Sequence, residues 1–303
     1  MPLKNSFSHS GSFGKVLLLI ALMAICMIVS LLILTGILLI FGLSPDFGGT
    51  LTATSSQENI LIAKLMQITS QMGLFILPAL IFGYLTAPSI ANGLNIGKFP
   101  IPRSLALVVV STLFAIPFIN LLAQWNTQWH LPDSMQSIED WMRNMQYAND
   151  KLMEVILIMD TPSDIAINVL MMAILPAVGE ELLFRGVLQK EFEKSFKNPH
   201  LAIFITAAIF SAFHLQFLGF LSRLILGMLF GYLFYYSKNI WTAILAHFTN
   251  NFLALIFAII YGSEIATQSF ENNMDPMIIL PSIVAIGLSG YLIYKNRSEL
   301  AHG

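Results

Sequence analysis

The residues best suited to chemistry are two adjacent glutamates and an arginine inside an apolar stretch. Glu180, Glu181 and Arg185 follow the run Ala-Ile-Leu-Pro-Ala-Val-Gly, which begins at Ala173. An ionisable side chain at the centre of a bilayer costs about 2.5 kcal/mol or more, so such residues in a membrane segment point to function. The segment therefore predicts chemistry or transport inside a membrane.

Histidines and asparagines are the other polar residues that stand out within apolar segments. His214 ends the run Phe-Ser-Ala-Phe-His, and His247 is followed by Asn250 and Asn251. Residues four apart share one face of a helix. We therefore expect His247 and Asn251 to project together.

The helical offset of the two glutamates predicts two different roles for them. Glu180 and Glu181 are about 100° apart around a helix, whereas Glu181 and Arg185 share a face. We expect Glu181 and Arg185 to form an ion pair, leaving Glu180 to face a cavity with the histidines. A carboxylate beside a histidine can activate water, and imidazole or amide donors can stabilise an oxyanion.

The composition indicates a membrane protein. Of the 303 residues 56% are apolar and 11% charged, with a mean hydropathy of +0.74, whereas soluble domains carry about 25% charged residues. The net charge of −2 and the lack of a basic tail argue against binding to nucleic acid. The single cysteine, Cys26, excludes a disulfide framework and a cysteine-rich metal site.

Eight segments are apolar and long enough to predict membrane helices, since a spanning helix needs about 20 mainly apolar residues. They are residues 16–41, 68–86, 105–122, 165–192, 201–217, 220–236, 240–260 and 277–294. There is no convincing internal repeat. The predicted fold is all-α, a polytopic bundle of about eight transmembrane helices.

The basic residues predict the orientation of these helices. With eight spans and a cytoplasmic N-terminus, ten Lys and Arg lie inside and four lie outside, with Arg185 in the membrane. Cytoplasmic loops carry the excess of Lys and Arg. Both termini are therefore predicted to be cytoplasmic. Measured from the inner helix ends, the glutamates and histidines are expected in one layer of the inner half of the membrane, reached from the cytoplasm.

The long loop 125–162 falls outside in this topology. Apolar residues recur in it at helical spacing among charged ones, from Ile138 to Met159, which predicts an amphipathic helix. It either lies on the membrane surface or caps the bundle. Gating of substrate entry and simple anchoring both remain open.

The ordered motifs resemble the CPBP intramembrane protease family, which groups type II CAAX prenyl endopeptidases with bacteriocin-processing and immunity (Abi) proteins. The resemblance covers residues 179–251. Its motifs are Glu180-Glu181-x-x-x-Arg185, Phe210-x-x-x-His214 and His247-x-x-x-Asn251. Each motif alone is weak, but their order and spacing together are specific.

The resemblance implies a role for each matched residue. Glu180 resembles the family's water-activating glutamate, with His214 as its partner. His247 and Asn251 resemble the pair that stabilises the oxyanion. Glu181 and Arg185, which lie on the same helix as Glu180, resemble the supporting pair.

Metal dependence stays open. The family is commonly named a metalloprotease, and a catalytic Zn²⁺ takes three protein ligands and a water. Glu180, His214 and His247 are the candidate ligands for Zn²⁺ or another divalent metal. The chain has no His-Glu-x-x-His motif, and the same residues suit metal-free hydrolysis, which we slightly favour.

These features predict five parts of the chain. They are a cytoplasmic tail (1–15), three transmembrane helices (16–122), an extracytoplasmic loop with an amphipathic helix (123–162), a catalytic CPBP/Abi-like core (163–260), and a last transmembrane helix with a C-terminal tail (261–303). The expected activity is endopeptidase cleavage of a peptide or of a lipidated or membrane protein, by CAAX-type or leader-peptide-type processing. The expected location is the cytoplasmic membrane of a bacterium.

Other functions and chemistries predict different sequence features. A proton-coupled transporter would show inverted repeats with broken helices, and a non-proteolytic immunity or scaffold protein would use the polar cluster only to bind a partner. Gly287-Leu-Ser289-Gly290 matches the rhomboid serine-protease pattern, although small residues in membrane helices usually serve packing. An aspartyl mechanism lacks two deep aspartates. Gly227-x-x-x-Gly231 predicts packing within the molecule.

Overall fold

The structure is a computed structural model that describes residues 3–43, 55–159, 161–261 and 276–302. Within these ranges every regular element is a helix. A helix satisfies its backbone hydrogen bonds internally, which a bilayer requires because it offers no water to exposed peptide groups. The predicted all-helical, polytopic bundle is confirmed.

Eleven helices lie along the described residues of the chain. They are α1 (Ser12–Ile40), α2 (Gln57–Thr86), α3 (Ile90–Leu94), α4 (Pro102–Thr127), α5 (Gln136–Ile156), α6 (Pro162–Phe196), α7 (Pro199–Phe213), α8 (Phe220–Ser237), α9 (Ile240–Tyr261), α10 (Pro276–Lys295) and α11 (Arg297–His302). Single 3₁₀ turns, Asp133–Met135 and Phe217–Gly219, precede α5 and α8.

Each of the eight predicted spans corresponds to a helix, but two of those helices are short. Among the described residues six helices are long and apolar enough to cross a membrane: α1, α2, α4, α6, α8 with its preceding turn, and α9. The other two are α7 and the part of α10 from Ile279 to Lys295. Residues 262–275, which the predicted domain 261–303 includes, lie outside the described residues.

The predicted span 201–217 ends earlier in the structure. α7 has 15 residues and stops at Phe213, with His214 as its C-terminal cap. Leu215 has a φ of 53°, and a residue in this left-handed region cannot continue a right-handed helix. At 1.5 Å per residue α7 is about 22 Å long, so His214 lies at its end and not in its middle.

Two of the helices that line the site, α2 and α6, each contain a π-helical segment before a proline. α2 contains a π-helical segment, Met72–Ile76, just before Pro78, and α6 contains another, Val169–Ile174, just before Pro176. Proline has no N–H to donate to the carbonyl four residues earlier, and a π-bulge takes up the resulting mismatch. Such bulges are frequent at functional sites.

A glycine lets these two helices approach closely. A Cβ at Gly179 would lie 2.9 Å from Cγ1 of Ile76 and 3.0 Å from Cβ of Phe75. Side chains never pack that closely. The glycine directly before Glu180 therefore sets the distance between α6 and α2.

The Gly227-x-x-x-Gly231 motif packs α8 within the molecule, as predicted. A Cβ at Gly227 would lie 3.0 Å from Cβ of Ala207, and one at Gly231 would lie 2.9 Å from Cγ2 of Ile203. Both neighbours are on α7. The carbonyls of both glycines accept from α6, that of Gly227 from Nη2 of Arg185 at 2.9 Å and that of Gly231 from Nε2 of Gln189 at 3.2 Å.

The loop between α4 and α6 contains the predicted amphipathic helix, α5. Its first turns are held by Glu139, whose Oε2 accepts from the backbone N–H of Leu131 at 2.7 Å and whose Oε1 accepts from Nε of Arg143 at 2.8 Å. The Leu131 N–H and Arg143 lower the pKa of Glu139 to about 2. The later turns of α5 lie over the site.

Candidate active site

The ion pair predicted on α6 is present and fully buried. Nη1 of Arg185 donates to Oε1 of Glu181 at 2.9 Å, and neither side chain has any exposed surface. Nη2 of Arg185 donates to the carbonyl of Gly227 at 2.9 Å. Cζ of Arg185 lies 4.7 Å from the ring centre of Phe210 and 5.5 Å from that of Phe230, distances typical of cation–π contacts. The guanidinium therefore has a single fixed position.

Glu181 also orients His247, a contact that the sequence analysis did not predict. Nδ1 of His247 lies 2.8 Å from Oε1 of Glu181. An ionised carboxylate only accepts hydrogen bonds, so Nδ1 carries the proton. The imidazole also stacks on Phe230, with 5.0 Å between ring centres and 19° between planes. Its Nε2 consequently points away from Glu181.

His214 is oriented in a similar way from the other side. Its Nδ1 lies 2.9 Å from the carbonyl of Phe210 and donates to it. In the neutral ring Nε2 is then an acceptor. The side chain is 32% exposed, because it caps the end of α7. This partial exposure distinguishes it from His247, which is 3% exposed.

Glu180 lies between the two imidazoles. Its Oε2 is 4.0 Å from Nε2 of His214 and 4.0 Å from Nε2 of His247. Oε2 is buried and has no hydrogen-bond partner among the described residues. Oε1 accepts from Nε2 of Gln71 at 3.4 Å. The two carboxylates thus serve separate environments, as their helical offset predicts.

The amide of Asn251 is held at both ends. Its Nδ2 donates to the carbonyl of Met172 at 3.1 Å, and its Oδ1 accepts from Nδ2 of Asn250 at 3.2 Å. Met172 stands four residues before Pro176, so its carbonyl lacks the usual helical donor. Among the described residues only one of the two N–H groups of the Asn251 amide has an acceptor, so the other can donate to a ligand.

One cavity of about 510 Å³ brings together the four predicted catalytic residues. Glu180, His214, His247 and Asn251 all line it, and Asn250 does too. Glu181 and Arg185 do not line it but lie behind it. The predicted division into facing and supporting residues therefore agrees with this geometry.

Several cavity residues were missed by the sequence analysis. They come from other elements and are Gln67 and Gln71 of α2, Asn149 of α5, Gln216 just before the turn that precedes α8, and Arg223 of α8. The sequence feature that could have identified Gln71 is its polar side chain within an otherwise apolar segment. Arg223 is one of the four basic residues that the predicted topology places outside, and its sequence context gives no further signal.

The cavity faces the side of the bundle on which α5 lies, which corrects the predicted position. It is lined by the start of α6 at Met171 and Met172, by the end of α9 at Ala254 and Ala258, and by Leu152 of α5 among others. The predicted topology places these helix ends opposite the two termini. In the predicted topology the cavity therefore opens towards the outer side. This disagrees with the expectation that the glutamates and histidines lie in the inner half of the membrane and are reached from the cytoplasm. Because α7 is short, His214, about 20 Å from its start, lies at the far end.

The candidate metal ligands do not fit one Zn²⁺ as they are arranged. Ligand atoms about 2.0–2.1 Å from a tetrahedral zinc lie about 3.3–3.4 Å from one another. Oε2 of Glu180 is 4.0 Å from each histidine Nε2. Within the described ranges no group of three or more His, Cys, Asp or Glu could hold a metal ion.

The serine of the rhomboid-like pattern is bonded elsewhere. Oγ of Ser289 donates to the carbonyl of Ser111 at 2.8 Å, and the residue is fully buried. The contact joins α10 to α4. Ser289 therefore serves the packing of these helices, the role usual for small residues in membranes.

Comparison with family models identifies the segment that contains this site. Residues 162–253 match the model described as Type II CAAX prenyl endopeptidase Rce1-like. No curated protein and no solved structure matches the chain. The matched range spans α6 to α9, the helices that carry all three motifs. The match of this segment to a Rce1-like type II CAAX prenyl endopeptidase model supports the resemblance to the CPBP intramembrane proteases.

Proposed function

We propose that the protein is an intramembrane endopeptidase in which Glu180 and His214 activate water while His247 and Asn251 stabilise the oxyanion. The observation that carries this proposal is the position of Glu180 Oε2. It is buried without a partner in the described structure and lies 4.0 Å from Nε2 of each histidine. A buried carboxylate oxygen without a partner is costly, so its retention favours a functional reason.

The spacing of Glu180 and His214 suits a bridging water. Two groups 4.0 Å apart can each hydrogen-bond one water at about 2.8 Å. The water donates one hydrogen to Oε2 of Glu180 and the other to Nε2 of His214. Its oxygen lone pair is then directed at a substrate carbonyl.

The hydrolysis uses only these residues and water. Glu180 takes a proton as the water oxygen bonds to the carbonyl carbon, which gives a tetrahedral oxyanion. Glu180 then passes this proton to the departing nitrogen as the C–N bond breaks. The products are a carboxylic acid and an amine, and Glu180 is again ionised.

His247 and Asn251 supply donors for the oxyanion. Because Nδ1 of His247 donates to Glu181 at 2.8 Å, Nε2 is the ring nitrogen left for the oxyanion, to which it donates in the imidazolium form. The free N–H of Asn251 is the second donor. Loss of one such donor typically lowers kcat by about 10²–10³-fold.

The substrate is a membrane-associated peptide or protein. CAAX-type processing and leader-peptide processing both fit a cavity lined by apolar side chains such as Met153 and Leu226 beside the polar group. Delivery from the bilayer suits a substrate with a lipid or a transmembrane segment at one end.

The decisive experiment compares the terminal peptides of membrane proteins in host cells that carry wild type or Glu180→Gln at equal abundance. Termini that disappear only in the variant support proteolysis and identify the substrate. Unchanged termini with a folded, abundant variant contradict it, and favour a transporter or a partner-binding protein. Loss of activity on chelation, restored by Zn²⁺, would contradict the metal-free mechanism.

A further inference from the structure

A second cavity lies between α7, α8 and α10, apart from the candidate active site. It has a volume of about 370 Å³ and, among the described residues, shares no lining residue with the cavity that contains Glu180. One wall is a face of α8 between Ile225 and Tyr236, and the other is a face of α10 between Ile286 and Tyr294. We call this cavity the α8–α10 groove.

The groove changes from apolar to aromatic along its length. It begins among Ile225, Met228 and Ile286 and ends among the tyrosines at 232, 236 and 294. In the predicted topology α8 and α10 both run towards the cytoplasm, so the tyrosines lie at the inner surface of the membrane. At 1.5 Å per residue the α8 wall is about 16 Å long, about half of the hydrocarbon core of about 30 Å. The groove therefore spans about one leaflet.

The groove is open space and not a tightly packed helix contact. Gly290 lines it, and a Cβ at Gly290 would meet no atom of the described structure within 4 Å. The adjacent Ser289 donates to the carbonyl of Ser111 at 2.8 Å, which holds α10 against α4. α10 therefore keeps its place while the space towards α8 stays unfilled. A lipid chain is as apolar as the side chains around such a space.

A row of tyrosines leads from the groove to Arg297. The ring centres of Tyr232 and Tyr236 are 6.2 Å apart, and those of Tyr236 and Tyr294 are 6.4 Å apart. Cζ of Arg297 lies 4.2 Å from the ring centre of Tyr294, and its Nη1 donates to the Tyr294 carbonyl at 2.8 Å. Leu300, also on α11, is 2% exposed, which fixes α11 against the bundle. The guanidinium is thus held at the aromatic end of the groove.

A second cation flanks the same row. Nζ of Lys238 lies 4.1 Å from the ring centre of Tyr235, which is 5.2 Å from that of Tyr236. Within the part of the chain that the structure describes, neither Lys238 nor Arg297 forms an ion pair. The cytoplasmic leaflet carries anionic lipids, which basic residues attract. Two cations at the end of an apolar groove therefore match an anion that bears an apolar chain.

We propose that the α8–α10 groove binds an anionic phospholipid, with an acyl chain between α8 and α10 and the phosphate at Arg297 and Lys238. The hydroxyl of Tyr232 and Nδ1 of His200, which are 2.9 Å apart, add hydrogen-bonding groups at the level of the headgroup. The lipid fills the space between the helices and so stabilises the position of α10. This site is separate from peptide hydrolysis, and the proposal holds whether or not the protein cleaves peptides.

The test measures lipid retention by native mass spectrometry of the purified full-length protein. The detergent micelles contain equal amounts of dioleoyl phosphatidylglycerol and dioleoyl phosphatidylcholine, which share their chains and differ in net charge. Two cations at the headgroup predict retention of a single phosphatidylglycerol, with a preference of about 10- to 30-fold over phosphatidylcholine. Equal retention of the two lipids by wild type overturns the proposal.

A charge variant locates the headgroup. Arg297→Gln should lower the preference for phosphatidylglycerol by about 5-fold. The matched control is Lys4→Gln, which removes an exposed charge from the same predicted side of the membrane and should change the preference by less than about 2-fold. Equal losses in the two variants, with thermal unfolding unchanged, would reflect net charge alone and contradict the site.

A glycine variant locates the acyl chain. Gly290→Phe places a ring in the groove and should lower retention of phosphatidylglycerol by about 10-fold or more. Gly287→Phe is its control, because Gly287 is on α10 but does not line the groove, and a Cβ meets no atom within 4 Å at either position. Equal retention by these two variants refutes binding in the groove.

Free glycerol phosphate distinguishes a lipid from a soluble phosphate. An excess of glycerol phosphate should leave phosphatidylglycerol bound to wild type, because burial of the acyl chain contributes most of the affinity. Displacement of the lipid by glycerol phosphate would instead indicate a site for a soluble phosphate and overturn the assignment to a phospholipid.

Discussion

Nδ1 of His247 lies 2.8 Å from Oε1 of Glu181, the same oxygen that accepts from Nη1 of Arg185 at 2.9 Å. One carboxylate therefore orients a histidine from another helix and neutralises a buried arginine. Glu181 itself does not reach the cavity. In the proposed mechanism Glu181 therefore acts through the position of His247.

Substitution of Glu181 should impair stability and activity together. Glu181→Gln leaves Arg185 without its ion pair, and breaking a buried pair costs about 3–5 kcal/mol. It also replaces the carboxylate that orients His247 by a neutral amide, whose oxygen is a weaker acceptor, so kcat should fall by about 10²-fold or more in the protein that still folds. Thermal unfolding and single-turnover cleavage measure the two effects.

Glu154→Gln is the control for that prediction. Glu154 pairs with Lys151 at 2.8 Å near the surface of α5, where an ion pair contributes about 0–1 kcal/mol. A similar loss of stability in both variants would contradict the structural role assigned to Glu181.

Glu180→Gln, unlike Glu181→Gln, should not lower the stability of the protein. Its Oε2 has no partner in the described structure, so the substitution removes a buried, incompletely bonded carboxylate and should leave the melting temperature unchanged or higher. Cleavage should fall by about 10³-fold or more, because no general base remains. A folded Glu180→Gln protein with near wild-type turnover would exclude Glu180 as the base.

Gly179→Ala tests the close approach of α6 and α2. The added methyl would meet Ile76 and Phe75 at 2.9 and 3.0 Å, and overpacking of this kind costs about 1–3 kcal/mol. Gly287→Ala is the matched control, since a Cβ there meets no atom within 4 Å. That change should be neutral or stabilise the helix by up to about 1 kcal/mol. Equal effects of the two substitutions on thermal unfolding would refute the predicted contact.

Acid should release the first turns of α5. The pKa of Glu139 is lowered from 4.5 to about 2 in the folded protein, so its contribution is complete above about pH 4.5 and is lost as the pH falls towards 2. Hydrogen exchange of residues 136–143 between pH 6 and 3 should show this loss of protection. Glu139→Gln should be less protected throughout and should lose most of the pH dependence. Unchanged pH dependence in that variant would assign the effect to another group.

The side on which the cavity opens can be measured directly. We expect cysteine at Tyr147, which is 65% exposed on α5, to react with an impermeant thiol reagent from outside the cell in a Cys26→Ser background. Cysteine at Lys194, exposed near the end of α6, should react only after permeabilisation. The reverse pattern would invert the predicted topology and open the cavity to the cytoplasm.

The sequence by itself determined the features that depend on neighbours along the chain. Hydropathy predicted the eight helical segments, because a bilayer requires long apolar helices. Helical periodicity predicted the Glu181–Arg185 pair and the separate direction of Glu180, since these relations hold within any single helix. The order of the three motifs was enough to indicate the family.

Only the tertiary structure decided the contacts between distant segments. The contact of His247 with Glu181 spans 66 residues, and that of Gln71 with Glu180 spans 109, so neither follows from local periodicity. The left-handed residue Leu215 ends α7 early and places His214 at the α5 side. Arg223 reaches the same cavity because Gly219 gives its guanidinium room. Such positions depend on how the helices cross. The packing of side chains between helices decides the crossing, and the hydropathy of the sequence does not encode it.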